Sequence, residues 1–275
     1  GIYAILKVVE AMEKHGLNID QIDKLTGPVI GRPKSATFRT SDVVGLDTLI
    51  HVANNLYEAL TEDEARETFN LPDAIHKLKE NNWLGDKTGQ GFYKKTKDEK
   101  GKTKILTLDL ESLEYKPKQK VKFATLELTK PIDRVKDRFK VLLGGKDVAG
   151  AYYRDAFYGL FQYVSNRIPE ITDELYKIDD AVCAGFGWEV GPFETWDLVG
   201  LPKVIEQMEA DGYKANEWVY EMLEAGHKSF YRIDQGVRQY YDIPTRSYKP
   251  IPGADAFIIL DDIRTTKEIW SNAGS

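Results

Sequence analysis

Apolar residues recur at helical spacing along most of this chain. The opening segment carries them at Ile2, Ile5, Val9 and Met12, the rhythm of a helix that buries one face. The same rhythm predicts a long helix over residues 148–167 and further helices over 42–60 and 132–142. The chain is therefore predicted to be mainly α.

Two short stretches alternate apolar and polar residues instead. Residues 105–110 and 121–128 each follow the two-residue period of a half-buried strand. A charged, glycine-containing segment precedes them, which is typical of a solvated connector. We expect the two stretches to pair as a small β-hairpin between helical regions.

A repeat divides the chain. The stretch Phe38–Leu46 is echoed by Phe193–Leu201, with six identities in nine positions at an offset of 155 residues. The two long helices correspond at the same offset, and Gly85–Tyr93 is answered by the shorter Gly226–Tyr231. A repeat of this length indicates two copies of one domain rather than a solenoid.

The repeat sets the predicted domain limits. Two similar helical domains are expected at 1–97 and 131–242, related by pseudo-twofold symmetry. Residues 98–130 form the connector with the hairpin, and 243–275 form a C-terminal extension in which we expect a strand and a last helical turn. The first helix lacks a capping residue and the chain lacks an initiator methionine, so we expect a fragment of a longer protein.

Composition and charge exclude several classes of partner. Lys and Arg total 38 and Asp and Glu total 44, so the net charge is −6, and no basic block indicates a nucleic-acid partner. No run of 18 apolar residues indicates a membrane span. The single cysteine, Cys183, cannot form an internal disulfide, which fits a reducing, cytoplasmic location.

Three motifs together resemble the C-terminal domains of 3-hydroxyacyl-CoA dehydrogenases. They are the segment 31–47, the Lys-Thr-Gly-Gln-Gly-Phe-Tyr run at 87–93, and the segment 187–201. The resemblance covers about residues 1–235 and implies a tandem pair of such domains, as in multifunctional enzymes of the family.

That resemblance implies an activity whose catalytic and cofactor-binding residues lie in another domain. The family oxidises the 3-hydroxyl of an acyl-CoA with NAD in fatty-acid β-oxidation. Its N-terminal Rossmann domain holds NAD and a catalytic His-Glu pair, and an enoyl-CoA hydratase-like domain can follow the tandem domains. This chain has no G-x-G-x-x-G after a strand, and none of its four histidines has a motif-like carboxylate partner. We therefore predict no catalytic, cofactor-binding or metal-binding residue here, and a substrate-side, dimer-like portion that is inactive by itself.

The resemblance also implies a loop that approaches the acyl-CoA. The candidate substrate-binding residues at the equivalent positions are Pro33, Lys34, Ser35 and Phe38. Phe38 is at least as well suited to core packing. The catalytic Asn of the family corresponds to Tyr153 in the second copy and to a position before Gly1 in the first.

Each copy of the repeat carries an aspartate just before its Val-Gly-Leu run. Asp42 and Asp197 occupy these equivalent positions. We expect both at helix starts, where a carboxylate accepts backbone N–H bonds and interacts favourably with the helix dipole.

Two alternative functions remain open from the sequence. The repeat could form a non-catalytic helical interaction module. The chain could also be the C-terminal domain of another hydroxy-acid dehydrogenase, because related helical domains follow Rossmann units elsewhere.

Overall fold

The structure is a computed structural model that describes residues 1–254, in two compact units. The first unit comprises residues 1–160 and 184–189, and the second comprises 161–183 and the described residues from 190 onward. Both units are mainly helical and each holds one small antiparallel sheet, which confirms the predicted fold class. The pseudo-twofold relation and the domain limits stay predictions.

The first half of the chain supplies seven helices and one sheet. Its helices are α1 (Ile2–Lys14), α2 (Ile19–Leu25), α3 (Phe38–Val44), α4 (Leu46–Ala59), α5 (Asp73–Glu80), α6 (Ala124–Thr129) and α7 (Val135–Leu143). Its strands β1 (Tyr93–Lys97), β2 (Thr103–Leu108) and β3 (Tyr115–Pro117) pair in sequence order. Short 3-10 turns occupy Pro28–Ile30, Arg66–Phe69 and Asp86–Thr88.

The remaining described residues supply five helices and a second sheet. Their helices are α8 (Val148–Asn166), α9 (Leu175–Phe186), α10 (Pro192–Val199), α11 (Leu201–Ala210) and α12 (Glu217–Glu224). A second sheet follows, with β4 (Tyr231–Asp234), β5 (Val237–Asp242) and β6 (Ser247–Pro250) in sequence order. No helix among residues 1–254 has the length and apolar character needed to cross a membrane.

Helix ends follow local chemistry. Asn18 and Gln21 form a reciprocal capping box at the start of α2. The predicted helix over 42–60 is divided at Gly45, whose φ of +105° ends α3 and starts α4. A residue with a Cβ rarely adopts that conformation, so glycine is required at this bend.

Aromatic side chains fill the core of the second unit. Phe161 stacks on Trp196 with ring centroids 4.8 Å apart, and Phe230 lies between Trp196 and Phe193 at 5.2 and 5.0 Å. All four side chains are fully buried. Each such burial contributes about 1.5–3 kcal/mol, so these rings dominate the packing of the unit.

The predicted hairpin is wrong in its second strand. Residues 124–129 form helix α6, and β2 pairs with β1 and β3 instead. The apolar positions Phe123 and Leu126 and the polar Thr129 are buried at a spacing of three, which places them on one face of a helix but on alternate faces of a strand. The segment from 255 onward, for which we predicted a strand and a helical turn, lies outside the described residues.

Candidate functional site

A half-buried aspartate holds the loop that follows α2. The backbone N–H groups of Thr37, Phe38 and Arg39 donate to the Asp23 carboxylate at 3.1, 2.7 and 3.0 Å. The Tyr93 hydroxyl donates to the same carboxylate at 2.7 Å. Burial raises the pKa of Asp23, while the Tyr93 and backbone hydrogen bonds oppose the rise. The loop is thereby fixed between α2 and β1.

A second aspartate holds the start of the first sheet. Asp42 accepts the backbone N–H groups of Phe92 and Tyr93, both at 2.8 Å. Burial raises its pKa to about 6 despite these bonds. The expected hydrogen bonds to backbone N–H groups are present, but the expected helix-start position is wrong, because Asp42 lies in the last turn of α3. Its donors come from a segment 50 residues away, which no local pattern reveals.

Close approach explains the glycines of the Lys-Thr-Gly-Gln-Gly-Phe-Tyr motif. A Cβ on Gly91 would lie 2.2 Å from an Asp42 carboxylate oxygen, and one on Gly85 would lie 2.2 Å from the Asp42 carbonyl oxygen. The motif is therefore a closely packed turn that delivers Phe92 and Tyr93, and Asp42 fills the space inside it. We call Asp23, Asp42 and Tyr93 the first aspartate cluster.

The second unit contains the same arrangement. Asp179 accepts the backbone N–H groups of Phe193 and Glu194, both at 2.9 Å, and the Tyr231 hydroxyl at 3.0 Å. Asp197 accepts the N–H groups of Phe230 and Tyr231, both at 2.8 Å.

Burial raises the pKa of Asp179 to about 7 and that of Asp197 to about 8. Asp197 also lies in the last turn of its helix, α10, so its expected helix-start position is wrong as well.

A cavity of about 510 Å³ opens beside the first aspartate cluster. We call it the lysine cavity, because its wall carries seven cationic side chains: Lys24, Lys34, Arg39, Lys95, Lys118, Lys120 and Lys122. Its acidic lining residues are Asp20, Asp23 and Asp86. This concentration of positive charge contrasts with the net charge of −6 of the whole chain.

The structure separates the four predicted substrate-binding residues. Lys34 and Ser35 both line the lysine cavity, where the Thr40 hydroxyl donates to the Ser35 hydroxyl at 2.7 Å. Pro33 is exposed and lies outside that wall. Phe38 is 1% exposed and packs edge-on against Phe92 at 4.6 Å, so it supports the loop from the core. A substrate role for each of the four stays a prediction.

Tyr153, at the position expected for the catalytic Asn of the family, has a structural contact. Its buried hydroxyl donates to the carbonyl oxygen of Leu25 at 2.7 Å. The adjacent Arg154 donates to the carbonyl oxygens of Leu143 and Gly145 at 2.8 and 2.7 Å. In the second copy, Tyr153 and Arg154 therefore connect α8 to neighbouring backbone carbonyl groups through hydrogen bonds.

One histidine has a carboxylate partner that is distant in the sequence. His15 ends α1, and its Nε2 lies 3.2 Å from the buried carboxylate of Asp155, which also accepts Lys14 at 2.9 Å. The partners are 140 residues apart, so no motif spacing could indicate them. His51 contacts Asn55 at 3.2 Å on the exposed face of α4.

Sequence reasoning also missed the cations that complete the cavity. Lys118, Lys120 and Lys122 alternate along the segment after β3, and alternate residues of an extended chain share one side. That alternation could have indicated a cationic edge. Arg39 is a further cation of the wall that the sequence did not indicate, and its two terminal guanidinium nitrogens donate to Asp86 at 2.8 and 2.6 Å.

Comparison with known proteins supports the resemblance seen in the sequence. Residues 2–95 match the model of the 3-hydroxyacyl-CoA dehydrogenase C-terminal domain. The chain is 40% identical over its whole length to a Bacillus subtilis protein named probable 3-hydroxyacyl-CoA dehydrogenase, of which it covers 34%. The chain thus spans about a third of the length of that relative.

Two other relatives match parts of the chain. A Deinococcus radiodurans protein, also named probable 3-hydroxyacyl-CoA dehydrogenase, is 45% identical over 39% of this chain and 30% of its own length. A Rickettsia prowazekii protein, named as a candidate trifunctional enzyme of a fatty acid oxidation complex, is 25% identical over 70% of this chain and 25% of its own length. The predicted resemblance is confirmed.

Proposed function

We propose, on the premise that residues 2–95 are a 3-hydroxyacyl-CoA dehydrogenase C-terminal domain, that this chain is the substrate-side portion of an NAD-dependent 3-hydroxyacyl-CoA dehydrogenase of fatty-acid β-oxidation. The observation that carries the proposal is the position of Lys34 and Ser35. Both stand in the loop that the family directs at the acyl-CoA, and both line the lysine cavity. The substrate in this proposal is a 3-hydroxyacyl thioester of coenzyme A.

The described residues do not fit NAD. A dinucleotide site needs a parallel strand, a glycine-rich turn and a helix N-terminus that faces the pyrophosphate. Both sheets here are antiparallel, and the glycine-rich turn at 85–91 is filled by Asp42. In our proposal a Rossmann domain before residue 1 binds NAD and carries the catalytic His-Glu pair.

In this proposal the chain binds and orients the substrate. The Asp23 carboxylate holds the loop at three successive N–H groups, so Lys34 and Ser35 extend from a rigid support. Phe38 anchors that support in the core through Phe92. A hydratase-like domain after residue 275 is the further partner that we propose, since the Rickettsia relative is named as trifunctional.

The activity is tested by following NADH absorbance with a 3-hydroxyacyl-CoA and NAD. We expect turnover by the complete natural protein and none by residues 1–275 alone. Absence of turnover by the complete protein would overturn the assignment, and faster turnover of a free 3-hydroxy acid would indicate a different hydroxy-acid dehydrogenase. NADH formation by residues 1–275 alone would contradict the proposed inactivity.

The loop is tested by substitution in the same assay. Lys34→Ala and Ser35→Ala should each raise KM about three- to tenfold with kcat nearly unchanged, because they remove binding that is equal in ground and transition states. Lys104→Ala is the matched control, since Lys104 is exposed on β2 and outside the cavity wall. Equal effects of Lys34→Ala and Lys104→Ala would remove the loop from the substrate site.

A further inference from the structure

The acidic residues of the lysine cavity are already engaged. Asp23 accepts four hydrogen bonds, as described above. Asp20 accepts the Thr107 hydroxyl at 2.8 Å and the backbone N–H of Gln119 at 2.9 Å. Asp86 binds both terminal nitrogens of Arg39. These carboxylates stabilise the wall, and because seven cations face three aspartates, the wall keeps an excess of four positive charges.

Most of the lysines on the wall form no close ion pair, although the Glu127 carboxylate interacts with Lys24 and Lys122 at longer range. Lys95 reaches Asp86 at 4.0 Å. Among residues 1–254, no ion pair is formed by the five others, which are Lys24, Lys34, Lys118, Lys120 and Lys122. All five are exposed. A concave wall lined by one sign of charge raises the local concentration of ligands of the opposite sign. The cavity thus favours a ligand with several negative charges.

The lysine-bearing segment is held in place at both ends. The backbone N–H of Gln119 donates to Asp20, and the backbone N–H of Thr125 donates to Asp147 at 3.0 Å. Between these points Lys120 and Lys122 follow Lys118 along the cavity wall. Fixing the backbone reduces the ordering that a ligand must impose when it binds.

An apolar surface lies among these charges. Ile105 is 43% exposed and lines the cavity together with Val121. The Lys118 ammonium lies 5.7 Å from the centre of the Tyr93 ring on the same wall. A volume of about 510 Å³ is within the range of small-molecule sites. A ligand that joins a flat apolar ring to several phosphates would match both features.

We propose that the lysine cavity binds the phosphorylated nucleotide end of coenzyme A, with its 3′-phosphate and pyrophosphate against the lysines and its base against Ile105. This inference rests on the proposed function. A phosphate monoester carries about 1.5 to 2 negative charges near neutral pH and offers three strong acceptor oxygens. The pantetheine arm and the acyl group then lead away from the cavity past Lys34 and Ser35.

The second copy of the repeat carries acidic residues that would repel such a ligand. By the equivalence of Asp23 with Asp179, Lys24 corresponds to Asp180. At the offset of 155 residues, Lys34 corresponds to Glu189 and Arg39 to Glu194. Three cations of the cavity wall are thus acids in the other copy. The nucleotide site is therefore assigned to the first copy alone.

Calorimetric titration of the complete protein tests the proposal. The ligands are CoA, 3′-dephospho-CoA, pantetheine and ADP, each at low and high salt. We expect CoA to bind most tightly, dephospho-CoA more weakly and pantetheine weakest, with the salt dependence greatest for CoA. Equal binding of CoA, dephospho-CoA and pantetheine would overturn the proposal. ADP binding as tight as that of CoA would also overturn it, in favour of a general nucleotide site.

Two charge-matched variants sharpen the test. The triple change Lys118→Gln, Lys120→Gln and Lys122→Gln should weaken CoA binding about tenfold, because exposed charge pairs each contribute modestly. The control changes Lys100, Lys102 and Lys104 to Gln, which lowers the net charge equally at exposed positions outside the cavity. Thermal unfolding should be alike in both. Equal losses of CoA affinity in the two variants would contradict the site.

A shortened substrate separates this inference from the proposed function. The triple variant should oxidise a 3-hydroxyacyl-pantetheine as well as the wild type does, while its KM for 3-hydroxyacyl-CoA rises about tenfold. If the wild type oxidises both substrates and the triple variant matches it on both, the nucleotide site is wrong and the dehydrogenase stands. If the wild type oxidises neither, the dehydrogenase itself is wrong.

Discussion

The two aspartate clusters are built from the same contacts. In each unit one aspartate holds the loop before a helix and accepts a tyrosine hydroxyl, and a second aspartate holds the Phe-Tyr pair that begins a sheet. The two sheets also contain equivalent ion pairs. Asp109 binds Lys116 in one and Asp242 binds Lys249 in the other. Contacts kept in both copies therefore specify architecture.

What differs between the clusters is charge. Arg39 binds Asp86 beside the first cluster, whereas Glu194 at the equivalent position binds Arg238 at 3.3 Å beside the second. The strand register places Ile105 opposite Lys95 and Arg238 opposite Ile233. An apolar residue thus lines the lysine cavity where the second sheet has a cation. The difference supports our proposal that the first copy binds an anionic ligand and the second does not.

The largest expected effect concerns the shared contacts. Asp42→Ala and Asp197→Ala each leave two backbone N–H groups without an acceptor, which should lower the free energy of unfolding by about 2–4 kcal/mol. Urea unfolding measures this change. Asp180→Ala is the control, because Asp180 is exposed beside the buried Asp179, and its effect should stay within about 0.5 kcal/mol. An Asp42→Ala variant as stable as this control would show that the cluster does not support the fold.

Steric substitutions should have a somewhat smaller effect. A Cβ on Gly91 would lie 2.2 Å from Asp42, and one on Gly191 would lie 2.3 Å from Asp179, so Gly→Ala should destabilise each by about 1–3 kcal/mol. Gly185→Ala is the control, since nothing lies within 4 Å of its Cβ position in α9. That change should be neutral or stabilising by up to about 1 kcal/mol. A thermal shift that ranks Gly185→Ala below Gly91→Ala would contradict the close approach.

The clusters should also differ in their response to pH. Burial raises the pKa to about 6 for Asp42, about 7 for Asp179 and about 8 for Asp197. A raised carboxyl pKa means that the folded chain holds the proton more tightly than the unfolded chain. The resulting contribution to stability is present in full below the ordinary pKa and is lost as pH rises through the folded one.

The loss should therefore occur between about pH 4 and 6 for the first unit and continue to about pH 8 for the second, at no more than about 1.4 kcal/mol per pH unit for each group. Carbon-13 NMR of the aspartate carboxyls reports each titration directly. Urea unfolding at pH 6 and pH 8 reports its effect on stability. Titration of Asp197 at or below the midpoint of Asp42 would contradict the ranking.

Local patterns predicted much of the helical fold. The helix that ends at His15 and the long helix over 148–166 follow from apolar spacing and from the glycines that bound them. The repeat in the sequence alone predicts the equivalence of Asp42 with Asp197. The helix α6 was not predicted because the apolar and polar residues of 121–128 alternate as in a strand, and so short a segment does not show its helical period clearly.

Long-range contacts could not be predicted in this way. Asp42 meets Phe92 across 50 residues and His15 meets Asp155 across 140, and nothing in the local sequence specifies either pairing. The lysine cavity combines residues from α2, the following loop, the first sheet and the segment after β3. Its charge became evident only when folding brought these separate segments together.

The most direct test of the difference between the copies is hydrogen–deuterium exchange of the complete protein with and without a 3-hydroxyacyl-CoA. Substrate should slow exchange in peptides that cover 31–38 and 118–123, because they form the wall of the proposed site. Peptides that cover 179–194 should be unchanged, since their acids repel the phosphates. Equal protection of both copies, or protection confined to 179–194, would contradict the assignment of substrate binding to the first copy.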